Sequence, residues 1–276
     1  MKAALLQITS SDDPSENLTM VREMVRDAAS QGAKFVLTPE VSNCVSTSRS
    51  HQNTVLEPEQ GNLFLAGMIE EAKAQDIWLL LGSIGIKTGD ADGRFANRSF
   101  LISPAGEIAA WYDKIHMFDV DVSETETYRE SAGYRPGDRA VVADAGFARI
   151  GMTICYDLRF ASLYRTLAQA GAQILTVPAA FSPVTGAAHW EPILRSRAIE
   201  TGCFVVAPAQ CGTHTATKGK QRSTHGHSMV VAPWGEVLLD AGTERGVFCV
   251  DLDLDAVEDA RRRVPSFDHD RGFTLA

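Results

Sequence analysis

Short runs of consecutive apolar residues alternate along this chain with segments of helical period, and that alternation constrains the fold more than any other feature. Phe35-Val36-Leu37 and Trp78-Leu79-Leu80-Leu81 are two such runs, and residues 173–177 hold a third. A strand that is apolar on successive residues has both faces to bury, which a sheet covered on each side provides. The intervening segments supply the cover. Residues 2–8 read as a first strand, and Asp13-Pro14-Ser15-Glu16 then offers an N-cap, a proline at the first helical position and a carboxylate within the first turn. Leu18, Val21, Val25, Ala28 and Ala29 recur on one face of that helix, and Gly32 stands where its C-terminal cap belongs. The pattern repeats with a helix over 63–74 and a strand from Trp78 that ends at Gly82. After residue 148 it returns as strand 148–154, helix 162–170, strand 173–177, helix 189–201 and strand 204–207. The fold class is α/β.

Two segments depart from this rhythm. Residues 100–108 and 229–237 share the order apolar strand, Pro, any residue, Gly, Glu, apolar strand, which reads as two hairpins and a weak internal repeat. Residues 118–138 are polar and rich in Ser, Glu and Thr, so they read as a long loop of the functional kind. No shift in composition marks a boundary, and residues 1–276 are expected to form one domain. With 45% hydrophobic and 22% charged residues, the chain has the balance of a folded protein rather than a disordered one. The net charge of -9 argues against a surface that tracks nucleic-acid phosphates. No run is long enough for a membrane helix and residues 2–8 do not resemble a secretory signal, so a soluble cytoplasmic protein is expected. Cys44, Cys155, Cys203, Cys211 and Cys249 are odd in number, lie far apart and are expected to be reduced thiols.

Three reactive side chains stand directly after predicted strands, where α/β sheets bind their ligands. Glu40 follows residues 35–39, Lys114 follows 108–113, and Cys155 follows 150–154 at a strand-to-helix turn where backbone N–H groups face an oxyanion. A carboxylate takes a thiol proton, a thiolate attacks a carbonyl carbon, and an ammonium stabilises the oxygen that becomes charged. Together the three make a recipe for acyl transfer. Each alone has an ordinary structural explanation, as a surface glutamate or lysine or a small core cysteine.

The segments around them narrow the reading. Thr38-Pro39-Glu40, Tyr112-Asp113-Lys114-Ile115-His116 and Gly151-Met152-Thr153-Ile154-Cys155-Tyr156-Asp157-Leu158-Arg159-Phe160 resemble, in order, the three signature segments of the nitrilase superfamily of carbon-nitrogen hydrolases. The resemblance extends over 2–271. It implies a four-layer αββα sandwich, with Glu40 as general base, Lys114 as stabiliser of the tetrahedral intermediate and Cys155 as nucleophile. It also implies a supporting glutamate between lysine and cysteine, which Tyr128-Arg129-Glu130-Ser131 matches with Glu130. A carboxylate beside Lys114 would hold the ammonium in place and keep it charged. The implied reaction is hydrolysis of a small carboxylated amide to an acid and ammonia through a Cys155 thioester, with the Tyr156 N–H and Lys114 as oxyanion site. Substrate amide and water are the expected partners; no metal or organic cofactor is expected.

Residues 155–160, Ala188-His189-Trp190-Glu191, Gly226-His227-Ser228 and Pro233-Trp234-Gly235 look most like the branch that holds the deaminated glutathione amidases and omega-amidases. Residues 197–201 through 209–212 are more similar to the former. Substrates of that branch carry carboxylates, so a cationic pocket is expected. Arg159 either supplies it or pairs with a buried carboxylate to fix the cysteine loop. Phe181 and Thr185 match pocket-lining positions of the branch, where Phe181 walls the acyl chain and Thr185 holds a polar end; Phe181 reads equally as a core aromatic. Residues 121–134 depart from the expected pattern, which bears on specificity. His225-x-His227 and Asp268-His269-Asp270 offer metal-ligand types without a third ligand at a recognisable spacing. A catalytically silent binding protein would have lost one of the three reactive residues. The resemblance further implies a homodimer packed through helices 162–170 and 189–201.

Overall fold

A computed structural model describes residues 1–122 and 126–275. In chain order the strands are β1 (Lys2–Gln7), β2 (Phe35–Leu37), β3 (Trp78–Lys87), β4 (Phe95–Ile102), β5 (Ile108–Asp113), β6 (Asp119–Asp121), β7 (Thr127–Arg129) and β8 (Val141–Asp144). They continue as β9 (Arg149–Met152), β10 (Ile174–Thr176), β11 (Phe204–Ala207), β12 (Cys211–His214), β13 (Arg222–His225), β14 (Met229–Val231), β15 (Val237–Asp240) and β16 (Gly246–Asp251). The helices are α1 (Pro14–Ser30), α2 (Arg49–Val55), α3 (Leu63–Gln75), α4 (Ala161–Gln169), α5 (Pro183–Thr201) and α6 (Asp255–Arg263).

Two six-stranded sheets carry the architecture, in the orders β16-β1-β2-β3-β4-β5 and β15-β14-β11-β10-β9-β8. Alternation along single strands shows why each sheet needs two neighbours. Ala3 and Leu5 of β1, Phe35 and Leu37 of β2, and Leu80 of β3 join a core shared with Ile150, Met152 and Val205 of the second sheet. The residues between them, Ala4, Leu6, Val36, Leu79 and Leu81, pack instead on Val21, Val25, Phe64 and Met68 of α1 and α3. Helices α4 and α5 cover the far side of the second sheet with Leu163, Leu167, Trp190 and Leu194. The layers therefore run helices, sheet, sheet, helices, which is the αββα sandwich.

Both expected hairpins form, and they occupy equivalent places. Strands β1, β2 and β3 run parallel and are followed by the antiparallel pair β4 and β5; β9, β10 and β11 run parallel and are followed by β14 and β15. Helix α1 begins as its sequence requires. The Asp13 carboxylate accepts from the Ser15 and Glu16 N–H groups at 2.8 and 3.4 Å, Pro14 is the first helical residue, and Gly32 takes φ +85° just past the end.

Three segments differ from expectation. Strand β3 does not end at Gly82 but continues to Lys87, with a bulge after Leu81. A β-carbon at Gly82 would stand 1.8 Å from the Thr38 carbonyl oxygen and 2.6 Å from Pro178, so this glycine marks a close backbone approach rather than a strand end. Helix α5 starts six residues before the expected 189, at Pro183, because proline is at home in a first helical position; Pro192 inside it obscures the period. The polar stretch 118–138 is not all loop. Strands β6 and β7 pair as a small ribbon and residues Glu130–Ala132 form a single 3-10 turn, while the Ser123-Glu124-Thr125 part lies outside the described residues.

Candidate active site

The ends of β2, β5 and β9 deliver Glu40, Lys114 and Cys155 to the floor of one cavity of about 720 Å³, at the seam between the two sheets. Glu40 and Lys114 come from the first sheet, Cys155 from the second. The Lys114 ammonium donates to Glu40 Oε1 at 2.9 Å and to both oxygens of Glu130, at 2.9 and 2.8 Å. Glu130 is held in turn by the Phe118 N–H, 2.6 Å from its Oε2. On Glu40, the second oxygen accepts from the Ala180 N–H at 2.9 Å, and the Gln210 side chain donates to its carbonyl at 3.0 Å. The Cys155 thiol meets both the Glu40 carboxylate and the Ala180 N–H.

Charge in this cluster is buried: Lys114 is 2% exposed, Glu40 4% and Cys155 7%. Burial by itself would drive the Glu40 carboxyl toward its neutral form, but the adjoining Lys114 ammonium outweighs it and holds the pKa below its usual 4.5. Burial likewise opposes the Lys114 charge, and Glu130 and Glu40 together raise its pKa well above the usual 10.5. For Cys155, burial and the Glu40 charge act in one direction and push the thiol well above 9.0. At rest, the Glu40 carboxylate and the Lys114 ammonium thus stand beside an uncharged thiol.

A pH dependence of stability follows. Glu40's lowered pKa contributes stability that is complete above pH 4.5 and lost as pH falls through the lower folded value. Lys114's raised pKa contributes stability that is complete below pH 10.5 and lost as pH rises through the higher folded value. Thermal melts of wild type and Glu40→Gln across this range are expected to differ by a constant amount on the plateau and to converge below pH 4.5. A difference that grew in acid would contradict the placement of the charges.

The turn bearing Cys155 is pinned in an uncommon conformation. Cys155 has φ +49°, a left-handed backbone for a residue with a side chain. Its N–H donates to the Pro178 carbonyl at 2.9 Å. Asp157, fully buried two residues on, accepts from the Ile154 N–H at 2.9 Å, the Tyr112 hydroxyl at 2.7 Å and the His116 N–H at 3.0 Å. That network binds the cysteine loop to the strand end that carries Lys114.

Of the other expected residues, Glu130, Tyr156, Phe181 and Thr185 line the cavity. Phe181 is also core, tilted against Trp190 at 4.8 Å between ring centroids. Arg159 is not among the lining residues. Its guanidinium lies 5.8 Å from the Tyr156 ring centroid and 5.7 Å from that of Phe181, both rings of the cavity lining, and contacts His189 at 3.2 Å. The carboxylate that fixes the cysteine loop is held by Tyr112 and His116 instead. His225 and His227 stack on one another at 4.6 Å, and His227 bonds Asp240 at 2.8 Å.

Two site residues escape the sequence reading. Asn97 on β4 donates to Glu40 Oε1 at 2.9 Å and to Glu130 Oε1 at 3.4 Å, bridging the carboxylates from above. Its signal is an amide inside a strand, a residue of poor strand propensity that needs a polar reason to be there. Arg222 enters from β13 and donates to the Ala180 carbonyl. Nothing local in its sequence distinguishes it from other arginines.

Comparison with known proteins agrees with this geometry. Residues 2–262 match the family model described as carbon-nitrogen hydrolase. Relatives named deaminated glutathione amidase include that of Yersinia enterocolitica, 37% identical over 97% of this chain and 92% of its own. The Bos taurus protein of that name is 38% identical over 97% and 81%. Among solved structures, the C. elegans NitFhit protein superposes with a TM-score of 0.88 at 32% identity, covering 98% of this chain and 65% of that one. Saccharomyces cerevisiae Nit3, a member of the nitrilase superfamily, superposes at 0.84 with 26% identity over 96% and 94%.

Proposed function

Because the chain belongs to the carbon-nitrogen hydrolase family, we propose that it is a thiol amidase whose substrate is deaminated glutathione. Its activity is hydrolysis of carbon–nitrogen bonds other than peptide bonds. The observation that carries the reading is the Glu40–Lys114–Glu130 ion cluster touching a buried thiol at the floor of a cavity of about 720 Å³.

In this reading Cys155 Sγ attacks the amide carbonyl while Glu40 takes its proton. The uncharged resting thiol favours a concerted transfer, with the sulfur gaining charge only as it bonds to carbon. Lys114 and the Tyr156 N–H stabilise the oxygen that becomes negative, and Glu130 keeps the ammonium aimed and charged. Glu40 then returns the proton to the departing nitrogen, leaving a thioester. Water attacks with Glu40 again as base, and the free acid leaves. In deaminated glutathione the amide nitrogen belongs to a cysteinylglycine unit. The leaving group is therefore a dipeptide amine rather than the ammonia expected from a primary amide.

The test is a panel of deaminated glutathione, 2-oxoglutaramate and an aliphatic nitrile, read by formation of 2-oxoglutarate from the two amides and of carboxylic acid from the nitrile. The expected order is deaminated glutathione first, by roughly tenfold or more in kcat/KM, as the outer half of a large cavity is filled only by the larger substrate. The nitrile is expected to remain intact. A preference for 2-oxoglutaramate would transfer the assignment to omega-amidase, and no turnover of either amide would remove the substrate reading.

A further inference from the structure

The cavity holds more positive charge than the chemistry at its floor uses. Arg49, Lys114, Arg129, Lys220 and Arg222 all line it, in a chain of net charge -9. Three of these cations are engaged. Lys114 lies between two glutamates, Arg129 pairs with Asp121 at 2.8 Å, and Arg49 donates to the Gly133 and Gly93 carbonyls with its guanidinium 3.8 Å from the centre of the Phe95 ring.

Lys220 and Arg222 differ. Among the described residues neither has a carboxylate at ion-pair distance. Arg222 donates one N–H to the Ala180 carbonyl, and its Nε is buried without a hydrogen-bond partner. A buried guanidinium N–H with no acceptor is costly, and Arg222 lines the cavity that an anionic ligand would enter. The position is close to the reacting atoms, since the Ala180 N–H holds Glu40 and touches the thiol. Lys220 lies two residues earlier on the chain leading into β13. Side chains at i and i+2 of an extended chain share a face about 7 Å apart, and Lys220 and Arg222 line the cavity where Gln221 between them does not. The segment is fastened in place: Thr47 donates to the Lys220 carbonyl at 2.9 Å and accepts from the Lys220 N–H at 3.0 Å.

We propose that Arg222 and Lys220 are the carboxylate-recognition element of this site, Arg222 anchoring the carboxylate of the acyl portion and the more exposed Lys220 meeting a second carboxylate further out. This rests on the amidase reading for its substrate and deepens it. A dianionic amide is then selected over a neutral one of equal length by two cations set at different depths. Arg222, as the planar fork, takes the inner and more buried contact.

The test combines turnover with binding. For wild type, Arg222→Gln, Arg222→Lys and Lys220→Gln, kcat/KM is measured on 2-oxoglutaramate, deaminated glutathione and neutral pentanamide, and calorimetry reads the Kd of 2-oxoglutarate. Arg222→Gln is expected to cut the preference for 2-oxoglutaramate over pentanamide by roughly 30- to 100-fold and to weaken 2-oxoglutarate binding by a similar factor. Arg222→Lys should retain part of both. Lys220→Gln is expected to cost roughly tenfold on deaminated glutathione and less on 2-oxoglutaramate; being exposed, it carries the test if Arg222→Gln does not fold. Equal losses on charged and neutral amides would overturn the proposal and leave Arg222 as a support for Ala180. So would wild type failing to bind 2-oxoglutarate. Arginine-dependent binding of 2-oxoglutarate by a protein that hydrolyses no amide would sustain the anchor and remove the amidase reading instead.

Discussion

Cys155→Ala is expected to lower amide turnover by at least about 10⁴-fold while leaving the fold intact. The thiol is the nucleophile that meets the Glu40 carboxylate, and loss of a covalent nucleophile typically costs 10⁴-fold or more. The structural cost is small. The side chain is one sulfur on the cavity floor, and Asp157, Pro178 and Tyr112 hold the turn through backbone and neighbouring groups that the substitution leaves in place. Circular dichroism and a thermal melt are expected to match wild type within roughly 1 kcal/mol. Turnover within a hundredfold of wild type in such a folded variant would remove Cys155 from the mechanism.

The second large effect separates stability from chemistry. Lys114→Met leaves Glu40 and Glu130 facing one another in a buried site with no cation between them, a loss of roughly 3–5 kcal/mol. In a chain of this size that lowers the melting temperature by about 10 °C. Pairing it with Glu130→Gln removes one of the two orphaned charges. The double variant is expected to recover a large part of the lost stability, because the groups are in contact and their effects are not additive. It is expected to recover none of the activity, as the cation facing the tetrahedral oxygen is still missing. Recovery of activity along with stability would show that Lys114 acts only as a structural counterion.

The success of the sequence reading followed the range of each interaction. Asp13, Pro14 and Gly32 act within a few residues of themselves, so α1 was legible to its caps. Glu40, Lys114 and Cys155 were legible because strand ends announce themselves in apolar patterning and the flanking segments resemble a known family. Glu130 rested on that resemblance alone, since a carboxylate in a polar stretch has no distinguishing period. Arg159 and Arg222 show where local reasoning ends. Both are arginines near glycine-rich or cysteine-bearing turns, and which one reaches the cavity depends on β13 folding back to Ala180, 42 residues away in the chain. Asn97 was hidden for a related reason: its partners Glu40 and Glu130 lie 57 and 33 residues distant. Gly82 misled because a glycine that ends a strand and one that lets another backbone pass look alike until the passing backbone is known.

Strand β1 lies between β2 and β16, so residues 2–7 pair on one side with 246–251. During synthesis the chain emerges from its amino end, and one edge of β1 has no partner until some 240 further residues have been made. At ordinary translation rates that is a wait of roughly 10–50 s with a row of free N–H and C=O groups on display, the kind of edge on which chains aggregate. Every strand of the second sheet is complete before the first sheet receives its last. The half of the molecule begun first is the half finished last, and arrest of translation between β15 and β16 yields a chain that carries every reactive side chain beside an unsealed edge.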